Sequence, residues 1–210
     1  MTVSRQNEIS TKNSNQQSHA KHALLLIDFQ NDFLMQNGRM PVSQSQVEPA
    51  LAAAKAAIES ARAVGDPILA IGNEFRKNDH LMNFFRRGAA IEGSEGARWD
   101  QRLPLDGIDY LPKWAGSAFV NPDLEKWFKA NNIASLTMTG VYARACVTLT
   151  AKDALRRGYQ VRILSDAVAC ASARTRRAAL KKLERAGASI AVVEDYRNSN
   201  WLTASRAIHA

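Results

Sequence analysis

Leu136-Thr-Met-Thr-Gly140-Val-Tyr-Ala-Arg-Ala-Cys146-Val-Thr-Leu-Thr-Ala-Lys-Asp-Ala154 is the stretch on which the reading of this chain turns. Ala134 to Thr139 is a short apolar and β-branched run that meets Gly140, which predicts a buried strand ending in a tight turn. From Ala143 the residues are small or helix-forming, with no Gly or Pro before Gly158, so the turn opens a helix. Cys146 then falls in the first helical turn. There, unpaired backbone N–H groups and the positive end of the helix dipole favour a thiolate and can hold an oxyanion. A small buried hydrophobe is the other reading of such a cysteine.

Upstream, Ala23-Leu-Leu-Leu-Ile27 is a continuous apolar strand followed by Asp28-Phe-Gln-Asn-Asp-Phe33. A run apolar on both faces belongs in a sheet covered on both sides, and such sheets collect functional groups at the strands' carboxyl ends. Asp28 is therefore either a catalytic carboxylate or a cap on the turn. Gln46 to Val64, closed by Gly65, predicts a helix. Pro67 to Ile71 predicts a second strand that delivers Asn73-Glu74-Phe75-Arg76 to the same sheet edge. Met82 to Ser94 predicts a long loop with a short helix over the site. Tyr110 to Lys113 predicts a third strand, with Trp114-Ala-Gly-Ser-Ala-Phe119 as the turn after it and a helix over Asp123 to Asn131, where Pro122 suits the start. Beyond the central unit, Gln160 to Leu164 reads as a strand ending at Ser165-Asp166. Ala173 to Ala186 reads as a helix and Ser189 to Val193 as a last strand. Alternating strands and helices predict a parallel sheet wrapped by helices through right-handed crossovers.

At 210 residues, 46% hydrophobic and 23% charged, the chain suits one globular domain. Met1 to Lys21, rich in Ser, Thr, Asn and Gln, reads as a flexible tail, with the domain over 22–210. No apolar run is long enough to span a bilayer, and the N-terminus lacks the apolar core of a secretory signal. With only two cysteines, Cys146 and Cys170, no disulfide framework is expected, so a cytoplasmic setting fits. The net charge of +8 gathers between Arg174 and Arg185, where six basic residues meet only Glu184. No aromatic residues interleave and no nucleic-acid motif accompanies them, so a solvated helix face is expected and specific nucleic-acid binding is not.

Three reactive groups thus fall at three strand ends: Asp28, Lys113 and Cys146. From Ala23 to Val193 the chain resembles the isochorismatase-like cysteine hydrolases, which include isochorismatases, nicotinamidases, N-carbamoylsarcosine amidases and related ureide hydrolases. The resemblance rests on Leu-Leu-Ile-Asp28-Phe-Gln-Asn-Asp-Phe33, on Pro-Lys113 followed by Gly-Ser-Ala-Phe119, and on Gly140-Val-Tyr-Ala-Arg-Ala-Cys146 through Ala154. It implies a Rossmann-like three-layer α/β/α fold with a mostly parallel, roughly six-stranded sheet. It also implies an Asp28, Lys113, Cys146 triad and hydrolysis of an amide or ureide C–N bond through an acyl-enzyme, without a cofactor. By the same analogy the peptide between Val141 and Tyr142 is cis, so that the N–H groups of Tyr142 and Cys146 form the oxyanion hole. Dimers or tetramers are common among such proteins, and Trp127 and Phe128 are candidate contact residues. Vinyl-ether hydrolysis of the isochorismatase kind is the enzymatic alternative, and a noncatalytic binding protein on the same fold is the other.

One segment departs from the nicotinamidase pattern, in which an Asp-x-His motif after the second strand and a further His hold a metal. Here it reads Asn73-Glu74-Phe75-Arg76-Lys77-Asn78-Asp79-His80, with one His and an Arg in a ligand position, so no metal site is expected. Phe33, Glu74, Arg76, Arg87 and Tyr142 are the substrate-binding candidates. Surface solvation is the alternative for the two arginines.

Overall fold

The computed structural model describes residues 21–197, so the expected tail over 1–20 and the last thirteen residues of the 22–210 domain lie outside the described residues. Lys21, grouped with the tail in the sequence reading, instead begins the first strand, β1, Lys21–Ile27. β1 lies at the middle of a six-stranded sheet with β2 (Ile68–Asn73), β3 (Asp109–Lys113), β4 (Ile133–Val141), β5 (Gln160–Ala169) and β6 (Ser189–Ala191), in the order β3-β2-β1-β4-β5-β6. Every pairing is parallel. The helices are α1 (Asn31–Leu34), α2 (Val47–Val64), α3 (His80–Phe85), α4 (Asp123–Ala130), α5 (Thr148–Arg156), α6 (Ala173–Arg185) and α7 (Val193–Arg197).

The two-sided burial predicted from β1 follows from strand geometry, in which alternate side chains point to opposite faces. Leu24 and Leu26 pack into a layer with the alanine-rich face of α2 (Ala50, Ala54, Ala57, Ala61) and with Tyr196 of α7. Leu25 and Ile27 pack into the opposite layer with Phe128 of α4, Ala151 and Ala154 of α5 and Leu183 of α6. Leu24 to Ile27 are all fully buried. At about 1.5–3 kcal/mol each, these four side chains supply about 6–12 kcal/mol, comparable to the whole net stability of a domain. α2 ends where Gly65 turns left-handed at φ 73, as the sequence predicted.

Three elements depart from the reading of the sequence. Gly140 is not a turn but a residue of β4. Its φ of 125 suits glycine alone, and a Cβ there would collide with the Ile27 carbonyl of the paired β1. β5 runs five residues past Leu164, through Ser165 and Asp166, because a register shift opposite Met138 and Gly140 lets Val168 and Ala169 rejoin β4. The last strand stops at Ala191, and α7 follows. Phe128 is buried and Trp127 is half-buried with its Nε1 donating to Asp109, so neither is the exposed contact residue expected. The exposed large apolar side chains include Leu81, Phe84 and Phe85 on α3. α6 carries Arg174, Arg177, Lys181, Lys182 and Arg185 on its solvent side and buries Ala179 and Leu183. Among the described residues no helix is long and apolar enough to cross a membrane.

Candidate active site

β1 ends by placing Asp28 in the left-handed region, at φ 57, a conformation that Asp tolerates better than most residues. Its N–H donates to Ile71 O of β2 at 2.8 Å, which fixes the turn against the neighbouring strand. β3 ends at Lys113. Both side chains are inaccessible to solvent, and Nζ of Lys113 lies 3.0 Å from Oδ2 of Asp28. The same ammonium donates to Oδ1 of Asn73 at 2.7 Å and to the carbonyl of Ala115 at 3.2 Å. Its three hydrogens therefore have three acceptors. Burial opposes its charge, but Asp28 and the neighbouring Cys146 hold its pKa above the usual lysine range.

Cys146 follows β4 across a cis peptide between Val141 and Tyr142. It lies within a π-helical turn, Ala143–Val147, that precedes α5, rather than in the first α-turn. The carbonyl of Tyr142 takes the N–H groups of Ala145 and Val147 at 2.9 and 3.3 Å, which shapes this wide turn. Burial first, and then the charge of Asp28, push the Cys146 thiol up to about 11, against the opposing pull of Lys113 and the Asn73 amide. The helix start alone thus does not make a thiolate here: desolvation and a like charge outweigh it. Asp28 is also raised, by burial acting against Lys113. Both acids of the pair are thus biased toward their protonated forms, beside a lysine biased toward its charged form.

The two oxygens of Asp28 are unequal. Oδ2 accepts from Asn73 Nδ2 at 2.8 Å and pairs with Lys113. Oδ1 is buried with no hydrogen-bond partner, and the Cys146 thiol neighbours the carboxylate.

Asn73 joins all three groups, and the sequence reading did not name it as a site residue. Its Nδ2 also lies 3.7 Å from Sγ of Cys146. Its backbone is clamped by Gln30, whose Oε1 accepts from Asn73 N and whose Nε2 donates to Asn73 O, both at 2.8 Å. The signal was present: an Asn at the carboxyl end of an apolar strand, and a Gln two residues past Asp28. Asp32, in the same motif as Asp28, is structural. Its carboxylate accepts from Arg39 N at 3.0 Å and Ala90 N at 2.8 Å, pinning two loops. The Gly-Ser-Ala-Phe119 segment ties β3 to α5, the helix after Cys146. The Ser117 hydroxyl donates to Asp153, and Ala118 N donates to Thr150 Oγ1 at 3.0 Å.

The remaining candidates separate. Tyr142 is half-buried; its hydroxyl donates to the Met40 carbonyl, and its ring meets buried Phe33 edge-on at 5.9 Å. Phe33 thus braces Tyr142. Glu74 accepts from the Tyr110 hydroxyl at 2.9 Å and lines a cleft of about 470 Å³ with Trp99 and Ser94. Arg76 is exposed, with its guanidinium 5.9 Å from the Trp114 ring, and it lines a second cleft with Lys77 and Glu92. Arg87 is exposed at φ 53, and its carbonyl accepts from Arg39. The contacts made by these two arginines do not join them to Asp28, Lys113 or Cys146. His80 is exposed at the start of α3. Among the described residues no three His, Cys, Asp or Glu side chains gather closely enough to hold a metal ion, so the donor set of a metal-binding relative is not matched.

A parallel sheet in this order, with a buried Asp–Lys pair and a cysteine after a cis peptide, places the chain in the class of isochorismatase-like α/β hydrolases. A family model, the isochorismatase domain, matches residues 22–195, and the chain belongs to that family. It is 29% identical over 170 residues to the ureidoacrylate amidohydrolase RutB of Cronobacter sakazakii, covering 69% of this chain and 73% of that protein. Among solved structures, it is similar to an isochorismatase-like hydrolase from Alkaliphilus metalliredigens, with a TM-score of 0.78, 29% identity, and coverage of 86% of this chain and 99% of the other. The N-carbamoylsarcosine amidase from Thermoplasma acidophilum matches with a TM-score of 0.71 and 26% identity, over 82% of this chain and 96% of that one.

Proposed function

We propose that this protein is a metal-independent cysteine hydrolase that cleaves the C–N bond of a small amide or ureide through a covalent acyl-enzyme. The observation that carries the reading is the unequal Asp28 carboxylate. One oxygen is held by Lys113 and Asn73, while the other is buried with no hydrogen-bond partner, and the Cys146 thiol lies beside the carboxylate. Asp28 takes the thiol proton as Sγ bonds to the substrate carbonyl carbon. The carbonyl π electrons move onto oxygen, which the N–H groups of Tyr142 and Cys146 receive as the oxyanion. Collapse breaks the C–N bond, and the proton held by Asp28 passes to the leaving nitrogen. Water then gives a proton to Asp28 as its oxygen attacks the thioester; collapse breaks the C–S bond, Asp28 returns the proton to Sγ, and a carboxylic or carbamic acid leaves.

In this reading the Asp28–Cys146 pair carries one proton, and Lys113 keeps it from taking up a second. Because Lys113 is an ammonium donating to three acceptors, its nitrogen has no lone pair with which to act as a nucleophile. The likeness to an amidohydrolase and an amidase supports the bond type. The direct test is release of ammonia or amine from a panel of small amides and ureides by the wild type and by Cys146→Ala. The reading expects release by the wild type and a roughly thousandfold or greater loss in the variant. Undiminished turnover by Cys146→Ala would instead favour vinyl-ether or other cysteine-independent chemistry.

A further inference from the structure

We infer that Asn73 is a positioning residue that stabilises the singly protonated Asp28–Cys146 pair, with its amide locked in one orientation by the charges around it. The inference rests on the proposed roles of Asp28, Lys113 and Cys146. An amide has one acceptor end and one donor end, and here each faces a group of the opposite character. Oδ1 receives the Lys113 ammonium at 2.7 Å, while Nδ2 donates to Asp28 Oδ2 at 2.8 Å and reaches Cys146 Sγ at 3.7 Å. Turned over, the amide would set NH2 against NH3⁺ and its oxygen against the carboxylate, so the electrostatics permit one rotamer. The backbone is held with equal definition by the two-point clamp of Gln30, which itself anchors to Ala97 O at 2.5 Å. Asn73 is buried, so no water competes for these bonds.

The chemical consequence is directional. As the proton moves from Sγ to Asp28, negative charge moves from a carboxylate to a sulfur, and Nδ2 touches both. One donor therefore serves the charge before and after transfer, without rearrangement. Lys113 also faces both groups, but as a full positive charge; Asn73 adds an uncharged donor that contacts the same two groups from another side. Removing the donor should favour the doubly protonated pair and raise the acid limb of reactivity.

The test uses Asn73→Asp and Asn73→Ala, with circular dichroism to confirm folding and mass spectrometry to follow iodoacetamide labelling of Cys146 against pH. Asn73→Asp keeps the shape and the acceptor for Lys113 but replaces the donor with an anion. That new anion raises the limb by like-charge repulsion in any case, so the neutral Asn73→Ala carries the comparison, and a role in packing alone predicts a wild-type profile for it. The inference predicts an acid limb displaced upward by about one pH unit or more, which is labelling about tenfold slower below that limb. Asn73→Ala decides: an upward displacement supports the inference, and a larger one in Asn73→Asp fits the added charge. An unchanged limb in a folded variant overturns it. Labelling needs no substrate. A wild type that hydrolyses no amide or ureide would therefore refute the proposed function while leaving this measurement able to judge Asn73.

Discussion

Replacing Lys113 with Ala removes a fully buried ammonium 3.0 Å from Asp28 Oδ2. At an effective dielectric near 20, that contact corresponds to about 5 kcal/mol of attraction. Loss of one member of a buried pair costs about 3–5 kcal/mol, because the other charge is left unpaired. Asn73 Oδ1 also loses its donor. The carboxylate has a cheaper course than staying charged: it takes up a proton. Burial already raises the Asp28 pKa and Lys113 opposes that rise, so deletion lets it climb further. Using about 3 kcal/mol for the lost partner, the acid limb should move up by about 2 pH units. The sign is definite, since a raised pKa keeps Asp28 protonated over more of the pH range, and a protonated Asp28 cannot accept the thiol proton. The assay pairs the pH profile of iodoacetamide labelling at Cys146 with urea unfolding. The variant should still unfold cooperatively but at lower urea, and its labelling near pH 7 should fall by about a hundredfold. Lys113→Arg should restore only part of the reactivity, because a planar five-donor fork does not fit a pocket with three acceptors around one nitrogen. A folded Lys113→Ala with the wild-type labelling profile would refute the electrostatic role.

Other consequences follow from the same contacts. Cys170 is 2% exposed, so brief iodoacetamide treatment should label Cys146 first, as read by peptide mass spectrometry; preferential labelling of Cys170 would contradict it. His22 is buried between Ser135 Oγ and Thr137 Oγ1 at 2.9 and 2.8 Å, and burial followed by the Arg162 charge depresses its pKa from 6.5 to about 3. The unfolded chain binds that proton more readily, so the stability His22 contributes is full above pH 6.5 and is lost as pH falls toward 3. Urea unfolding at pH 7 and pH 4.5 should differ by about 2.5 kcal/mol more in the wild type than in His22→Gln, and equal differences would show that His22 is not the titrating group. Activity should survive dialysis against EDTA, because Glu74, Arg76 and His80 do not offer a converging donor set; loss on chelation with recovery on adding zinc would overturn that.

The parts of this molecule that repeat a simple period were legible in the sequence. β1 showed itself because five adjacent apolar residues can only be a strand covered on both faces, and α2 because small residues at helical spacing end in a glycine. Asp28 and Lys113 stood out as charged residues at the ends of apolar strands, and Cys146 as a cysteine at the helix start that follows another. What sequence could not convey was the balance among them. The helix-start argument for a Cys146 thiolate considered local dipoles and omitted desolvation and the Asp28 charge, both of which depend on three strands meeting. Asn73 was passed over because an uncharged amide carries no conspicuous chemistry until its two ends are seen to face opposite charges. Gly140 was taken for a turn residue because its need for positive φ arises from the close approach of β1. The extension of β5 past Ser165 and Asp166 escaped because two polar residues interrupt its pattern where the register shifts.

The claim at the centre of this account is that Cys146 becomes acylated during turnover. Acid quenching of the enzyme during hydrolysis of an active amide or ureide, followed by intact-protein and peptide mass spectrometry, reads this directly. The account predicts an added mass equal to the acyl fragment, confined to the Cys146 peptide and absent from Cys146→Ala. Full turnover by Cys146→Ala, with no adduct on Cys146 in the wild type at any quench time, would contradict it.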